Sequence, residues 1–288
     1  MKLVAKKSNP LLQVLLQEGG YATTSKAREI IKNGAVWVNN QVIKIPSTMV
    51  EAGTSIEINA KKSKQEADHA KYAFKVLFED DFLIAVAKPP RISVEKSPGE
   101  KLCFKDVVLH AMQEEKNALN SLAPLTAIET NATGVLLFAK NQRTAIALQA
   151  KSAITKRWTA LVEGKVHDSE TVLKFPMLKL KTGKWVAVEK PVSGSLEAET
   201  TVRLKKHAGN FSLLELRSDT SIPKQFQAQL MLWGHPVAGD KRYGASISFS
   251  SRIGLHLSSI GFIHPVSKQQ VIIDSPLPQS FTRAGRYL

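Results

Sequence analysis

The run Ala60-Lys61-Lys62-Ser63-Lys64-Gln65-Glu66-Ala67-Asp68 cuts this chain in two. It lies in a polar stretch from Asn59 to Lys71 with too little apolar content to pack, so the pieces on either side must each bury a core of their own. The sequence predicts a small domain over residues 1–60, a linker over 61–71 and a large domain over 72–288. With 43% apolar residues in a chain of 288, the larger piece has ample material for a core.

Forty Lys and Arg against twenty-five Asp and Glu give a net charge of +15, spread along the chain. Such a field favours polyanions by releasing their condensed counterions, so RNA or DNA is the expected partner. No stretch reaches the roughly 18 to 20 apolar residues of a membrane span, and Met1-Lys2-Leu3-Val4-Ala5-Lys6-Lys7 lacks a secretory apolar core. The single cysteine, Cys103, sits between Leu102 and Phe104 and reads as a buried thiol, and no His or Cys spacing suits zinc. The expectation is a cytoplasmic monomer with neither metal nor cofactor.

Before the linker, Leu12, Leu15 and Leu16, then Ala27, Ile30 and Ile31, recur at helical spacing. Thr23, Thr24 and Ser25 offer hydroxyls to cap the second helix, and Gly34 can end it. Ala35 to Val38 reads as a strand, Asn39-Asn40 as a tight turn and Ser55 to Ile58 as a closing strand after Gly53. This order resembles the S-four type (alpha-L) RNA-binding domain. In that family the second helix opens with Ser and two arginines that touch phosphate; those positions hold Thr23, Thr24 and Ser25 here, which leaves Lys26, Arg28 and Lys32 as candidate RNA contacts.

After the linker comes Val76 to Pro90, with Glu79-Asp80-Asp81 as a turn between two apolar runs and Lys88-Pro89 at the end of the second, where proline cannot donate to a ladder. Leu125-Thr126-Ala127-Ile128-Glu129-Thr130-Asn131-Ala132-Thr133-Gly134 precedes an apolar run ending in Ala139-Lys140. Lys156-Arg157-Trp158-Thr159-Ala160-Leu161-Val162-Glu163-Gly164, Gly234-His235-Pro236-Val237-Ala238-Gly239-Asp240, Gly254-Leu255-His256 and Phe262-Ile263-His264-Pro265 follow. In this order the blocks resemble the RluA-like RNA pseudouridine synthases. The resemblance implies an α+β fold, a small alpha-L domain followed by a mixed, largely antiparallel sheet with flanking helices, and structured, ribosomal RNA as partner.

Pseudouridine formation breaks a carbon–nitrogen glycosidic bond, turns the base and rejoins it through carbon. It calls for a carboxylate nucleophile, a cation to aim it, and an aromatic group that stacks on the extruded base and handles its proton. The resemblance places the family's Asp, Arg and Tyr on Glu129, Gln227 and Trp158, and its His and Arg before the nucleophile on Thr126 and Ala127. Glu129 adds a methylene, Gln227 is neutral, and Trp158 offers only an N–H donor. Lys224 is the nearby substitute cation, yet on a strand its odd spacing from Gln227 would turn it to the opposite face; only a helix would bring the two together. Lys88, Arg91, Lys156 and Lys224 are the remaining candidate RNA contacts, Arg91 replacing the family's usual glycine after Lys-Pro. The substitutions predict turnover that is weak or lost. A non-enzymatic RNA-binding or ribosome-assembly role through the same cleft is the alternative.

Overall fold

A computed structural model describes residues 1–59, 71–114, 122–149, 153–249 and 252–283, in two compact units, Met1–Ala73 and Phe74–Leu288. Apart from Lys71, the expected linker lies outside the described residues.

In the first unit the helices Leu11–Gln17 and Thr24–Lys32 turn Leu11, Val14, Leu15, Ala27 and Ile31 into a shared core. Burying each large aliphatic side chain stabilises by about 1.5–3 kcal/mol. Thr23 caps the second helix by accepting from the Lys26 amide at 3.3 Å, which satisfies one of the amides a helix start leaves unpaired. Asn39 and Asn40 both take positive φ, 50° and 66°, as a two-residue hairpin turn requires. They join Val36–Val38 to Gln41–Val42 in a four-stranded sheet that also holds Lys2–Val4 and Ser55–Ile58.

The second unit is built on a ten-stranded sheet. Its central path runs Phe211–Arg217, Ile154–Glu163, Leu255–Ile263, Thr133–Ala139, Leu83–Lys88 and Val76–Glu79. All these pairings are antiparallel except that of Thr133–Ala139 with Leu255–Ile263, parallel at Thr133↔His256 and Gly134↔Leu257. Every residue of Thr133–Ala139 is buried, which explains its unbroken apolar run.

Two features of that strand position the site. Gly134 has φ 131°, and a Cβ on it would sit 2.3 Å from the Leu257 carbonyl oxygen, so only glycine lets the strands approach this closely. Gly134 also pairs with Lys88 across the antiparallel neighbour, which delivers Lys88 to the foot of the loop that carries Glu129.

Candidate active site

The Glu129 loop is anchored from below by Lys88. Its ammonium donates to the carbonyls of Pro89 and Glu129 at 3.0 Å and of Thr130 and Ala132 at 3.2 Å. Lys88, expected from the sequence to touch RNA, is 2% exposed; its donors are spent on backbone, so it shapes the loop and does not face a ligand. Burial pushes its ammonium down to about 7, against the opposing pull of Glu129. Thr126 adds a second anchor: its hydroxyl accepts from the Leu137 amide at 3.0 Å and donates to the Val135 carbonyl at 3.2 Å.

Above the loop lies the helix Gln225–Leu232, with Lys224 at its N-cap. Lys224 donates to Glu129 Oε2, and Gln227 Nε2 donates to Glu129 Oε1 at 2.7 Å. Lys224 stands just outside the helix as its left-handed N-cap and Gln227 lies in the first turn, and both reach Glu129; the strand geometry that would have separated Lys224 from Gln227 does not occur. Lys224 occupies the left-handed region at φ 64°, which costs a non-glycine residue about 1–2 kcal/mol. Gln227, at 1% exposure, is buried on the Glu129 side.

Two further glutamines hold this helix start. Gln225 donates to the Glu199 carbonyl, Thr200 Oγ1 and Ser218 Oγ at 2.9–3.1 Å while its amide oxygen accepts from Thr220 at 2.8 Å. Gln229 donates to the carbonyls of Phe175 and Ala198 and accepts from Thr200. Sequence reading missed both, although glutamine at every second position of one helix, 225, 227 and 229, was the available signal.

Trp158 follows a β-bulge in Ile154–Glu163 and is buried at 8% exposure. Its ring packs against that of Phe226 in a T-shaped pair, with centroids 5.8 Å apart. Asp240, which sequence reading quoted without a role, is buried; burial first, and Glu129 second, push its carboxyl up, while Lys224 and Arg242 oppose them. Tyr243 is buried too and donates its hydroxyl to the Trp185 carbonyl at 2.8 Å. Burial, Asp240 and Glu129 push its phenol up.

The remaining candidates divide by exposure. Lys26, Arg28 and Lys32 are exposed on their helix in the first unit. Arg91 is exposed with φ 67°, the backbone that a glycine would favour. Lys156 is half-buried, and burial pushes its ammonium down. The structure thus brings Glu129, Lys224 and Gln227 together over Lys88. Chemically, that arrangement aims a carboxylate between an ammonium and an amide, but position 158 supplies no ionisable hydroxyl.

Comparison with known proteins adds two family matches: the S4 domain over residues 10–56 and the RNA pseudouridylate synthase family over residues 82–231. Similar proteins include ribosomal large subunit pseudouridine synthase C of Haemophilus ducreyi, 27% identical, with 86% of this chain and 82% of that protein covered. Ribosomal large subunit pseudouridine synthase D of Vibrio cholerae is 25% identical over 88% of this chain and 83% of that protein. Among solved structures, human RNA pseudouridylate synthase domain containing 4 shares the fold with a TM-score of 0.61, 19% identity, and 77% of this chain and 94% of that chain covered.

Proposed function

We propose, for a chain that belongs to the RNA pseudouridylate synthase family and carries an S4 domain ahead of the synthase domain, that it holds structured ribosomal RNA without isomerising uridine. The observation that carries this reading is Trp158: an indole packed on Phe226 stands where the reaction needs an aromatic hydroxyl. Trp158 donates only through N–H and takes no proton from the base. Glu129, longer than aspartate by one methylene, has both carboxylate oxygens engaged, by Lys224 and by Gln227. A displacement near 1 Å at a reacting atom costs roughly a hundredfold in rate.

The net charge of +15 supports a polyanionic partner, and relatives named as ribosomal large subunit pseudouridine synthases support ribosomal RNA. Lys26, Arg28 and Lys32 contribute from the domain over 1–60, and Lys156, Lys224 and Arg91 from the domain over 72–288. The protein acts as a cytoplasmic monomer; among the described residues no helix is long and apolar enough to cross a membrane.

One observation favours a second reading. The ion pair between Lys224 and Glu129 supplies a cation where Gln227 has none, as an isomerase with glutamate for nucleophile would need. Pseudouridine mapping in ribosomal RNA from strains with and without the gene separates the two. An unchanged profile supports the holder, and a site lost on deletion establishes the isomerase.

A further inference from the structure

We propose that the first unit carries a pocket for one unpaired guanine base of the RNA, on the face of its sheet that points away from its core. The proposal rests on the RNA-holding function above and adds sequence readout to it. A cavity of about 370 Å³ lies there, lined by Lys2, Trp37, Asn39, Asn40, Ser55 and Glu57, every one of them within Met1–Ala73. Its volume falls in the range of about 300–1,000 Å³ of small-molecule sites.

Strand alternation places these side chains. Val36, Ile56 and Ile58 lie in the core of the unit, so their neighbours Trp37, Ser55 and Glu57 project from the opposite face. Lys2 and Trp37 both stand in register with Glu57, one on either side of it, which brings the three side chains to adjacent sites across the sheet. The Asn39 amide donates to the Ser55 carbonyl at 3.2 Å, and that bond fixes the asparagine turn at the rim. Trp37 is buried and Glu57 half-buried, while Lys2, Asn39, Asn40 and Ser55 are exposed. The cavity therefore has an indole in its wall and polar groups at its mouth.

Those polar groups are unspent. Lys2 and Glu57 carry opposite charges side by side, yet among the described residues no ion pair joins them, and no hydrogen bond engages the side chains of Lys2, Asn39, Asn40 or Ser55. Glu57 Oε1 accepts from Asn59 Nδ2 at 3.4 Å, which leaves lone pairs on both carboxylate oxygens. One cation and one anion give the lining no net charge, so it does not select a phosphate. It selects a neutral group that accepts beside where it donates. The Watson–Crick edge of guanine presents the acceptor O6 followed by the N1–H and N2–H donors; the Lys2 ammonium meets the first and the Glu57 carboxylate accepts from the other two. Adenine, cytosine and uracil each turn only one donor group to that edge, so none makes the paired contact. Unpaired RNA exposes such edges. A free guanosine nucleotide carries the same edge, and the test separates the two sources.

The test measures binding of the full chain to a short oligouridylate and to the same oligomer with one central G, A or C, for wild type, Glu57→Gln and Lys2→Met. The four oligomers carry the same phosphates, so the electrostatic background is common to them and their ratio isolates the base. The wild type is expected to prefer the G oligomer by about tenfold, within what one paired contact discriminates. Glu57→Gln keeps the side chain's shape but turns a donor towards guanine in place of an acceptor, and should bring the four affinities together. Lys2→Met, on the exposed rim, should reduce the preference and decides alone if Glu57→Gln does not fold. Equal wild-type affinities for the four oligomers overturn the proposal. So does a G preference that every folded variant keeps, and so does guanosine 5′-monophosphate that binds through Glu57 while the oligomers stay equal, which assigns the pocket to a free nucleotide. Equal oligomer affinities beside tight binding of a large-subunit ribosomal RNA fragment sink only this inference, whereas a fragment that does not bind removes the RNA-holding function and the pocket's RNA ligand with it.

Discussion

Lys224 donates its ammonium to the carboxylate of Glu129 across 95 residues of sequence. The chain enters the helix Gln225–Leu232 through this lysine as its left-handed N-cap. On the alignment that the resemblance implies, Gln227 stands at the family's arginine position, and Lys224 three residues earlier is the cation that meets the carboxylate. An ammonium lacks the planar, two-pronged donor that an arginine offers.

A double-mutant cycle on Lys224→Met and Glu129→Gln measures what the pair contributes. Its side chains are 35% and 28% exposed, so solvent screening holds the coupling to about 1 kcal/mol or less. Urea unfolding of the four proteins reads it directly; a coupling of several kcal/mol would mean that water is excluded from the site.

Lys88→Met should be far more damaging than Lys224→Met. It leaves four carbonyls around Lys88 without their donor, at a cost of about 3 kcal/mol or more. Lys88 also sets a pH dependence. Its folded pKa is lowered to about 7 while the unfolded amine titrates near 10.4, so the unfolded state holds the proton more tightly between those values. Wild-type stability therefore rises from about pH 7 to about pH 10 by an amount on the order of a few kcal/mol and is flat with respect to this group below about pH 7. Subtracting the Lys88→Met profile from the wild-type profile isolates the slope, and parallel profiles would remove Lys88 as its source.

Gly134→Ala should cost about 4 kcal/mol or prevent folding, since the new methyl meets the Leu257 backbone at 2.3–2.7 Å. The clash lies in the parallel pairing that seats the loop, so RNA binding should fall together with the melting temperature. A variant with near-wild-type stability would mean that the two strands separate easily.

The sequence carried the two-domain order because polar composition marks a linker and helical spacing marks a small core: Leu15 and Ile31 are found where their periodicity placed them, in the buried cluster of the first unit. The partners of Glu129 were harder to read. Gln227 and Lys224 lie nearly a hundred residues from Glu129, and their shared direction depends on local backbone geometry that residue types alone do not fix. Lys88 misled for a related reason: a lysine's charge suggests a surface, and only the fold reveals four carbonyls converging on it.

Restoring Asp alone will not restore the reaction. Glu129→Asp draws the carboxylate back from Lys224 and Gln227 and leaves an indole at position 158, and residues that act as a unit return little when repaired singly. Glu129→Asp with Trp158→Tyr and Gln227→Arg is the smallest set with a route to activity. Any gain should appear in the triple variant and be absent from each single one, as read by uridine conversion per mole of protein.

The central claim, that the chain holds RNA without isomerising it, is tested most directly by single-turnover conversion of uridine to pseudouridine, with wild-type protein in excess over a large-subunit ribosomal RNA fragment that it binds. The account predicts saturated binding with no pseudouridine above the protein-free control. Conversion of the bound RNA to near completion would contradict it, and would establish Glu129 with Lys224 as a working replacement for the aspartate and arginine of the family.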